Sequence, residues 1–510
     1  MNQKSSLRRD LLHEPVAVID IGSNSARLVV YRLDPHGHLR ILANTRAALR
    51  LVLDVDETRN LSEKAVAKMM EALRDFRAMA LGAGAARIVA VATAALRDAA
   101  NGRQVIQRVR RELGLRLEVI NGELEAHYGF IGAVRDLPVE HGFVFDLGGG
   151  SVQVSRFRGR RLLRAWSLPL GSLRLSHAFL RDDPPGRGEV RRLKRHVCDL
   201  LEEAGIPAVK RNEALIGTGG TVRNLAKIDG RMHGYPITRV HGYVLSRRRV
   251  REIAELLARL PFKKRGSLPG LSNERGDSIV GGALAVESLM EVVDAPAIRV
   301  SGQGVREGVI YSLLSGDLPP VQAVREASIA SLTAQFASWD ADSAERRASA
   351  ATALLKALRP SATPQVREAL AHAARLLDIG RSVDFFSRHE HVADIVVAAD
   401  LKGFSHREVA LLAAIVRCAR DEDASVKAYS PLLDKEDRSE VEQAAVLLAL
   451  ADDIEERCPR GAPMALECRL RKGEAVVSVP ALAGWRPRDV GPRFEGVFDR
   501  VLVVRAGAGG

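Results

Sequence analysis

The sequence predicts an α/β protein: two related α/β domains facing a shared cleft, then an all-α domain and a small C-terminal β element. Three observations carry this reading. "VIDIGSNSARLVVYR" (18–32) returns 126 residues later as "VFDLGGGSVQVSRFR" (144–158), with Asp20 over Asp146, Gly22 over Gly148 and Ser25 over Ser151. "EALIGTGGTVRNLAKI" (213–228) and "AIRVSGQGVREGVIYSLL" (297–314) each read as strand, glycine-rich turn, helix. After "SGDLPPVQAV" (315–324), a linker by composition, the chain turns Ala-, Leu- and Arg-rich at helical spacing.

In order along the chain, residues 15–32 read as two strands joined by a loop. A helix follows from Ser62, its cap, with Val66, Met69, Met70, Leu73, Phe76 and Met79 on one face. "ARIVAVAT" (86–93) and "RLEVING" (116–122) are strands, the second feeding the helical "ELEAHYGFIGAV". The first unit ends near residues 135–140, and strand, loop, strand begins again at Gly142. Residues 325–455 are helical, and "EAVVSVPAL" and "DRVLVVRA" are strands of a terminal sheet. The domains expected are 1–135, 136–318, 319–460 and 461–510.

The net charge of +13 is uneven. Residues 1–318 carry 50 Lys+Arg against 35 Asp+Glu, or +15; residues 319–510 carry 26 against 28, or −2. The excess lies with the two loops and suits a polyanion. Basic runs at 191–195, 247–251 and 263–265 sit where a long one would lie. Only 4% of residues are aromatic, which argues against base stacking and specific nucleic-acid binding. Cysteines 198, 418, 458 and 468 form no C-x-x-C pair and are expected as reduced thiols in the cytoplasm. The basic start lacks a signal-peptide core, and no run reaches the ~20 apolar residues of a membrane helix.

A glycine turn after a strand lets backbone N–H groups converge on a phosphate, and an Asp at the strand end can hold a divalent metal. No Gly-Lys-Ser/Thr follows either loop, so neither is a Walker loop. A strand rather than a helix follows, so neither is a dinucleotide fingerprint.

With "VATAALRDAANG" (91–102), "VINGELEAHYGF" (119–130), "LPGLSNERGDSIVGG" (268–282) and "SGQGVREGVIY" (301–311), the chain resembles the exopolyphosphatase / guanosine pentaphosphate phosphohydrolase family. These motifs fall in order over about 300 residues, and the likeness continues weakly beyond them. The resemblance implies two actin-like (ribonuclease H-like) domains and a helical domain like the histidine-aspartate phosphohydrolases. It implies Mg²⁺-dependent hydrolysis of terminal phosphoanhydride bonds, in inorganic polyphosphate or in guanosine pentaphosphate, by a cytoplasmic enzyme expected as a homodimer. Guanosine tetraphosphate is a further possible ligand.

Carried over by motif, Glu125 is the catalytic glutamate and Asp146 the metal-linked aspartate, with Asp20 its counterpart in the first loop. Phosphate binding falls to Gly22, Ser23, Asn24, Ser25, Thr93 and Arg97 in the first domain. In the second it falls to Gly148, Gly149, Ser151, Gly219, Gly220 and Thr221. A carboxylate that orients or deprotonates an in-line water fits Glu125, and a bidentate guanidinium fits Arg97. Glu125 also reads as a first-turn helix acid, and Arg97 as a partner of Asp98.

The chain departs from the family at two places. Gln153 stands where a glutamate is usual; strand alternation puts it with Ser151, facing phosphate and metal. That substitution motivates the alternative of a catalytically weakened polyphosphate or alarmone binder. In "ARLLDIGRSVDFFSRHEHVADI" (374–395) the usual His-Asp pair is Leu377-Asp378, and His389 and His391 remain, so that domain is expected to hold no catalytic metal.

Overall fold

The computed structural model describes residues 14–314, 317–421, 424–461, 464–482 and 484–506. The segment read for a signal peptide falls almost wholly outside them, as do residues 315 and 316 of the linker. The chain forms two compact units, Met1–Val324 and Arg325–Gly510.

The first unit holds two sheets of one design. β1 (Val16–Ile21) and β2 (Ser25–Leu33) form a hairpin, extended by β3 (Leu39–Ala48). On the other side of β1, β4 (Arg87–Ala92) and β5 (Leu117–Val119) add in parallel, giving the order β3-β2-β1-β4-β5. The second sheet repeats it. β6 (His141–Leu147), β7 (Val152–Arg158) and β8 (Arg161–Leu168) form the meander, and β9 (Ala214–Thr218) and β11 (Ala297–Val300) add in parallel. β10 (Val244–Ser246) closes its far edge, for the order β10-β11-β9-β6-β7-β8. This is the expected pair of actin-like domains.

The helix Glu63–Gly82 forms as its spacing predicts. Ser62 accepts a bond from Ala65 N at 3.2 Å, and Val66, Met69, Met70, Leu73 and Phe76 pack against Ile19, Ile21 and Leu28. Two helices at the back of the cleft, Gly122–Val134 and Val305–Leu314, touch backbone to backbone. A Cβ on Gly132 would lie 1.9 Å from Gly304 O, and one on Gly308 1.8 Å from Tyr128 O.

The second unit is a helical bundle with a three-stranded sheet of β12 (Glu467–Arg471), β13 (Glu474–Ser478) and β14 (Val501–Arg505). Residues 321–324, read as linker, open the helix Val321–Thr333. Leu377 is fully buried, and Asp378 is bracketed by Arg347 (2.7 Å) and Arg388 (2.9 Å). The same two guanidiniums hold Asp452, with Arg347 Nε at 2.8 Å. His389 is buried and kept neutral, its pKa lowered to about 3 by burial and then by Arg388. Among the described residues no group of three His, Cys, Asp or Glu is placed to hold a metal. Nor is any helix long and apolar enough to cross a membrane.

Candidate active site

Each sheet aims its central hairpin at the cleft. Asp20, one residue before the end of β1, lies across from Arg27, and Asp146, one before the end of β6, across from Gln153. The turns that follow close alike: Gly22 N donates to Ser25 O at 3.1 Å and Gly148 N to Ser151 O at 3.0 Å. The turns also press on each other. A Cβ on Gly149 would fall 2.6 Å from Asn24 Cβ, and one on Gly150 2.6 Å from Ser23 Oγ. Glycine is therefore what lets the two loops share one cavity.

That cavity is lined by Asp20, by residues 22–25, and by Thr93 and Glu125 from the first domain. The second supplies Asp146, residues 147–151, Gln153, Gly219 and Gly220. Gly219, at φ +97°, makes a turn that other residues rarely adopt, and a Cβ there would lie 3.0 Å from Asp146 Oδ1.

Three carboxylates are enclosed here. Asn121 caps the helix Gly122–Val134, accepting from Leu124 N at 2.8 Å, and so sets Glu125 in the first turn, facing the cleft. Burial, then the charge of Asp146, pushes the Glu125 carboxyl up to about 8. Its Oε2 accepts no hydrogen bond and stands 3.5 Å from Arg97 Nη1. Burial likewise pushes Asp146 up to about 6, with Asp20 adding to the rise, and raises Asp20 itself. Crowded, desolvated carboxylates of this kind are relieved by protons or by a cation. Asp20 and Asp146 are the pair that could share a divalent ion. Two protein carboxylates, with substrate oxygens and water completing the shell, suit Mg²⁺.

Four arginines also line the cavity, and motif reading passed over them: Arg27, Arg223, Arg275 and Arg306. Burial and then Arg223, Arg306 and Arg275 lower the Arg27 pKa to about 8. Burial, then Arg223, lowers Arg275 to about 10, and burial, then Arg306, lowers Arg223. The guanidiniums thus repel one another. The Arg275 guanidinium lies on Gly220, where a Cβ would be 1.9 Å from Nη2. The available signal is that all four sit inside the quoted motifs, a few residues from a glycine turn, and that Arg27 aligns with Gln153.

Two expected phosphate ligands stand outside the lining. Arg97 stands beside Glu125, bonding Asp98 at 3.2 Å and Ile120 O at 3.1 Å. Thr221 is fully buried, packed on the helix Ile279–Val292 so closely that a Cβ on Gly282 would meet its Oγ1 at 2.6 Å. Gln153 shares the Ser151 face, and its amide is engaged by hydroxyls: Nε2 donates to Ser151 Oγ at 2.8 Å and Ser167 Oγ at 3.3 Å. The basic runs are partly neutralised: Lys194 and Arg251 hold Glu287, Arg247 holds Asp294, Arg249 holds Glu252, and Arg265 holds Asp183.

The chain is similar to known phosphatases. Residues 29–316 match the Ppx/GppA phosphatase family, and residues 324–484 match domain III of the Ppx/GppA phosphatases. Exopolyphosphatase 1 of Mycobacterium tuberculosis is 30% identical over 318 residues, covering 62% of this chain and 92% of the relative. Exopolyphosphatase 1 of Mycobacterium leprae is 31% identical over 306 residues, covering 59% and 90%. Among solved structures, the Aquifex aeolicus member of the Ppx/GppA family is 30% identical, with a TM-score of 0.52, over 59% of this chain and 98% of that one. An exopolyphosphatase from Cytophaga hutchinsonii is 26% identical, with a TM-score of 0.55, over 60% and 99%.

Proposed function

The chain belongs to the Ppx/GppA phosphatase family, and we propose that it is an exopolyphosphatase, hydrolysing the terminal phosphoanhydride bond of inorganic polyphosphate to release orthophosphate. The observation that carries this reading is the set of four arginines walled in with Glu125 beside paired glycine loops, three of them, Arg27, Arg223 and Arg275, lowered by burial and by neighbouring guanidiniums. A multiply charged, flexible anion relieves that repulsion.

In this mechanism the glycine loops and their serines cradle the terminal phosphoryl group, and the arginines neutralise its oxygens. Glu125 takes the proton of a water aimed at the terminal phosphorus. The new P–O bond forms as the bridging P–O bond breaks, and the bridging oxygen leaves on the shortened chain. Asp20 and Asp146 would hold Mg²⁺, which when bound supplies positive charge beside the phosphate oxygens. Enclosure by both domains keeps other water from the reacting atoms. We propose a homodimer in the cytoplasm, where its four free cysteines stay reduced.

The test is phosphate release from long-chain polyphosphate, tripolyphosphate, guanosine pentaphosphate and ATP, each with and without Mg²⁺. Polyphosphate is expected to be the preferred substrate. Release from guanosine pentaphosphate alone would assign the alarmone instead. Binding without release from any of them would make the chain a regulatory binder.

A further inference from the structure

We propose a second polyanion site in the second domain, which takes internal phosphates of the chain whose end lies in the cleft. It deepens the reading above and rests on it.

The helix Gly220–Met232 links the two places. Its first turns carry Gly220 and Arg223 into the catalytic cleft. Lys227 and Arg231, one and two helical repeats further on, line a separate cavity. Spacing of four residues puts all three cations on one stripe, about 12 Å long from first to last. Both Lys227 and Arg231 are exposed, and neither forms an ion pair with a described carboxylate. Asp229, the helix's one acid, is buried, takes the Tyr243 hydroxyl at 2.6 Å and faces Arg249 at 3.8 Å.

A second element is shared. The loop 270–275 runs alongside the helix, with Arg275 in the cleft and Ser272 at the second cavity. Asn224 pins it there: Nδ2 donates to Gly220 O at 2.7 Å, and Oδ1 accepts from Ser272 N at 2.8 Å. At Gly270 (φ +93°) the loop lies so close that a Cβ would meet Lys227 C at 2.6 Å. Glu274 of this loop, and Asp277 just past it, are held by Arg46 and Arg50 of the first domain. No carboxylate lines the second cavity among the described residues, whereas carboxylates hold Lys194, Arg247, Arg249, Arg251 and Arg265 of the basic runs. Unneutralised charge thus follows the helix that leads out of the cleft, from Arg223 to Lys227 and Arg231.

The experiment compares the full-length Lys227→Ala/Arg231→Ala variant with wild type on tripolyphosphate and long-chain polyphosphate, across a range of KCl. Tripolyphosphate kinetics are expected to stay unchanged. For the long chain, kcat holds while KM rises about tenfold, and the salt slope of binding falls by about two, the loss of two phosphate contacts. Lys227→Arg/Arg231→Lys, which keeps the charges, is expected to restore the long-chain KM. Equal effects on both polymers, or none, would overturn the site. So would a defect confined to guanosine pentaphosphate, which would mark the cavity, with its Tyr235–Tyr243 pair, as a nucleoside pocket. Anisotropy of labelled long-chain polyphosphate reads binding without turnover. If the wild type hydrolyses neither polymer, the hydrolase reading fails, and this arm alone decides on the site.

Discussion

Gln153 lies directly across the hairpin from Asp146, in the register place that Arg27 holds opposite Asp20. The two loops thus present a guanidinium on one side of the cleft and a neutral amide on the other. A glutamate at 153 would stand beside Asp146, whose carboxyl burial already pushes up to about 6, and would draw a cation. Gln153→Glu is expected to lower the Mg²⁺ concentration for half-maximal activity and to raise the maximal rate. Magnesium titrations of both forms check this, and superimposable curves would remove position 153 from the metal site.

Glu125 must be ionised to accept a proton, yet burial and Asp146 hold its carboxyl up to about 8 in the free cleft. The kcat/KM of the wild type at low Mg²⁺ is therefore expected to fall as pH drops through that value. Glu125→Gln should lose about 10²–10⁴-fold in rate while still binding polyphosphate. Stability gives a second readout. A carboxyl raised in the folded state binds protons more tightly there, so wild-type stability declines as pH rises from the unfolded value, 4.5, through about 8. The variant should exceed the wild type in thermal stability at about pH 9 and match it at about pH 4. A deficit at both would mark Glu125 as structural.

The arginine cluster sets function against stability. Arg27, lowered to about 8 by burial and by three neighbouring guanidiniums, is a strained cation when no anion is present. Arg27→Gln is expected to raise the melting midpoint of the ligand-free protein by about 2–4 °C per kcal/mol of repulsion removed. It should also shrink the further rise that tripolyphosphate brings to the wild type. Thermal scans with and without tripolyphosphate test both signs; a lower midpoint in the absence of anion would contradict the repulsion.

What was legible in the sequence was local. The paired loops, the Ser62 helix and the face shared by Ser151 and Gln153 follow from spacing alone. β3 and β8 were missed because they are outer, mixed-polarity strands, and β12, reading Glu-Cys-Arg-Leu-Arg, because it is charged and mostly exposed. The helix Leu51–Thr58 was missed because it opens on a strand-like Leu-Val-Leu. The four cleft arginines come from separate segments, so their convergence is a tertiary fact. Thr221 matched a motif, but a motif does not say which way a side chain turns. Helix packing turned Thr221 inward.

In the helical unit, arginines occupy the surroundings of the remaining aspartates. Asp378 keeps its place beside Leu377, and the Arg347, Arg381 and Arg388 guanidiniums hold its carboxyl below the ordinary value although burial pushes it up. Arg347, itself fully buried, also reaches Asp452 and Glu455. A guanidinium forked between two carboxylates meets the charge requirement that a cation would otherwise meet, and it cannot be chelated away. Arg347→Ala leaves Asp378 and Asp452 enclosed and short of one partner, and should cost about 3–5 kcal/mol of that unit's stability in urea. Arg347→Lys keeps the charge but loses the planar fork, and should fall between variant and wild type. EDTA should leave the wild-type unfolding midpoint of this unit unmoved. A midpoint that drops with EDTA, or an Arg347→Ala variant as stable as wild type, would mean that a metal and not this arginine holds the aspartates.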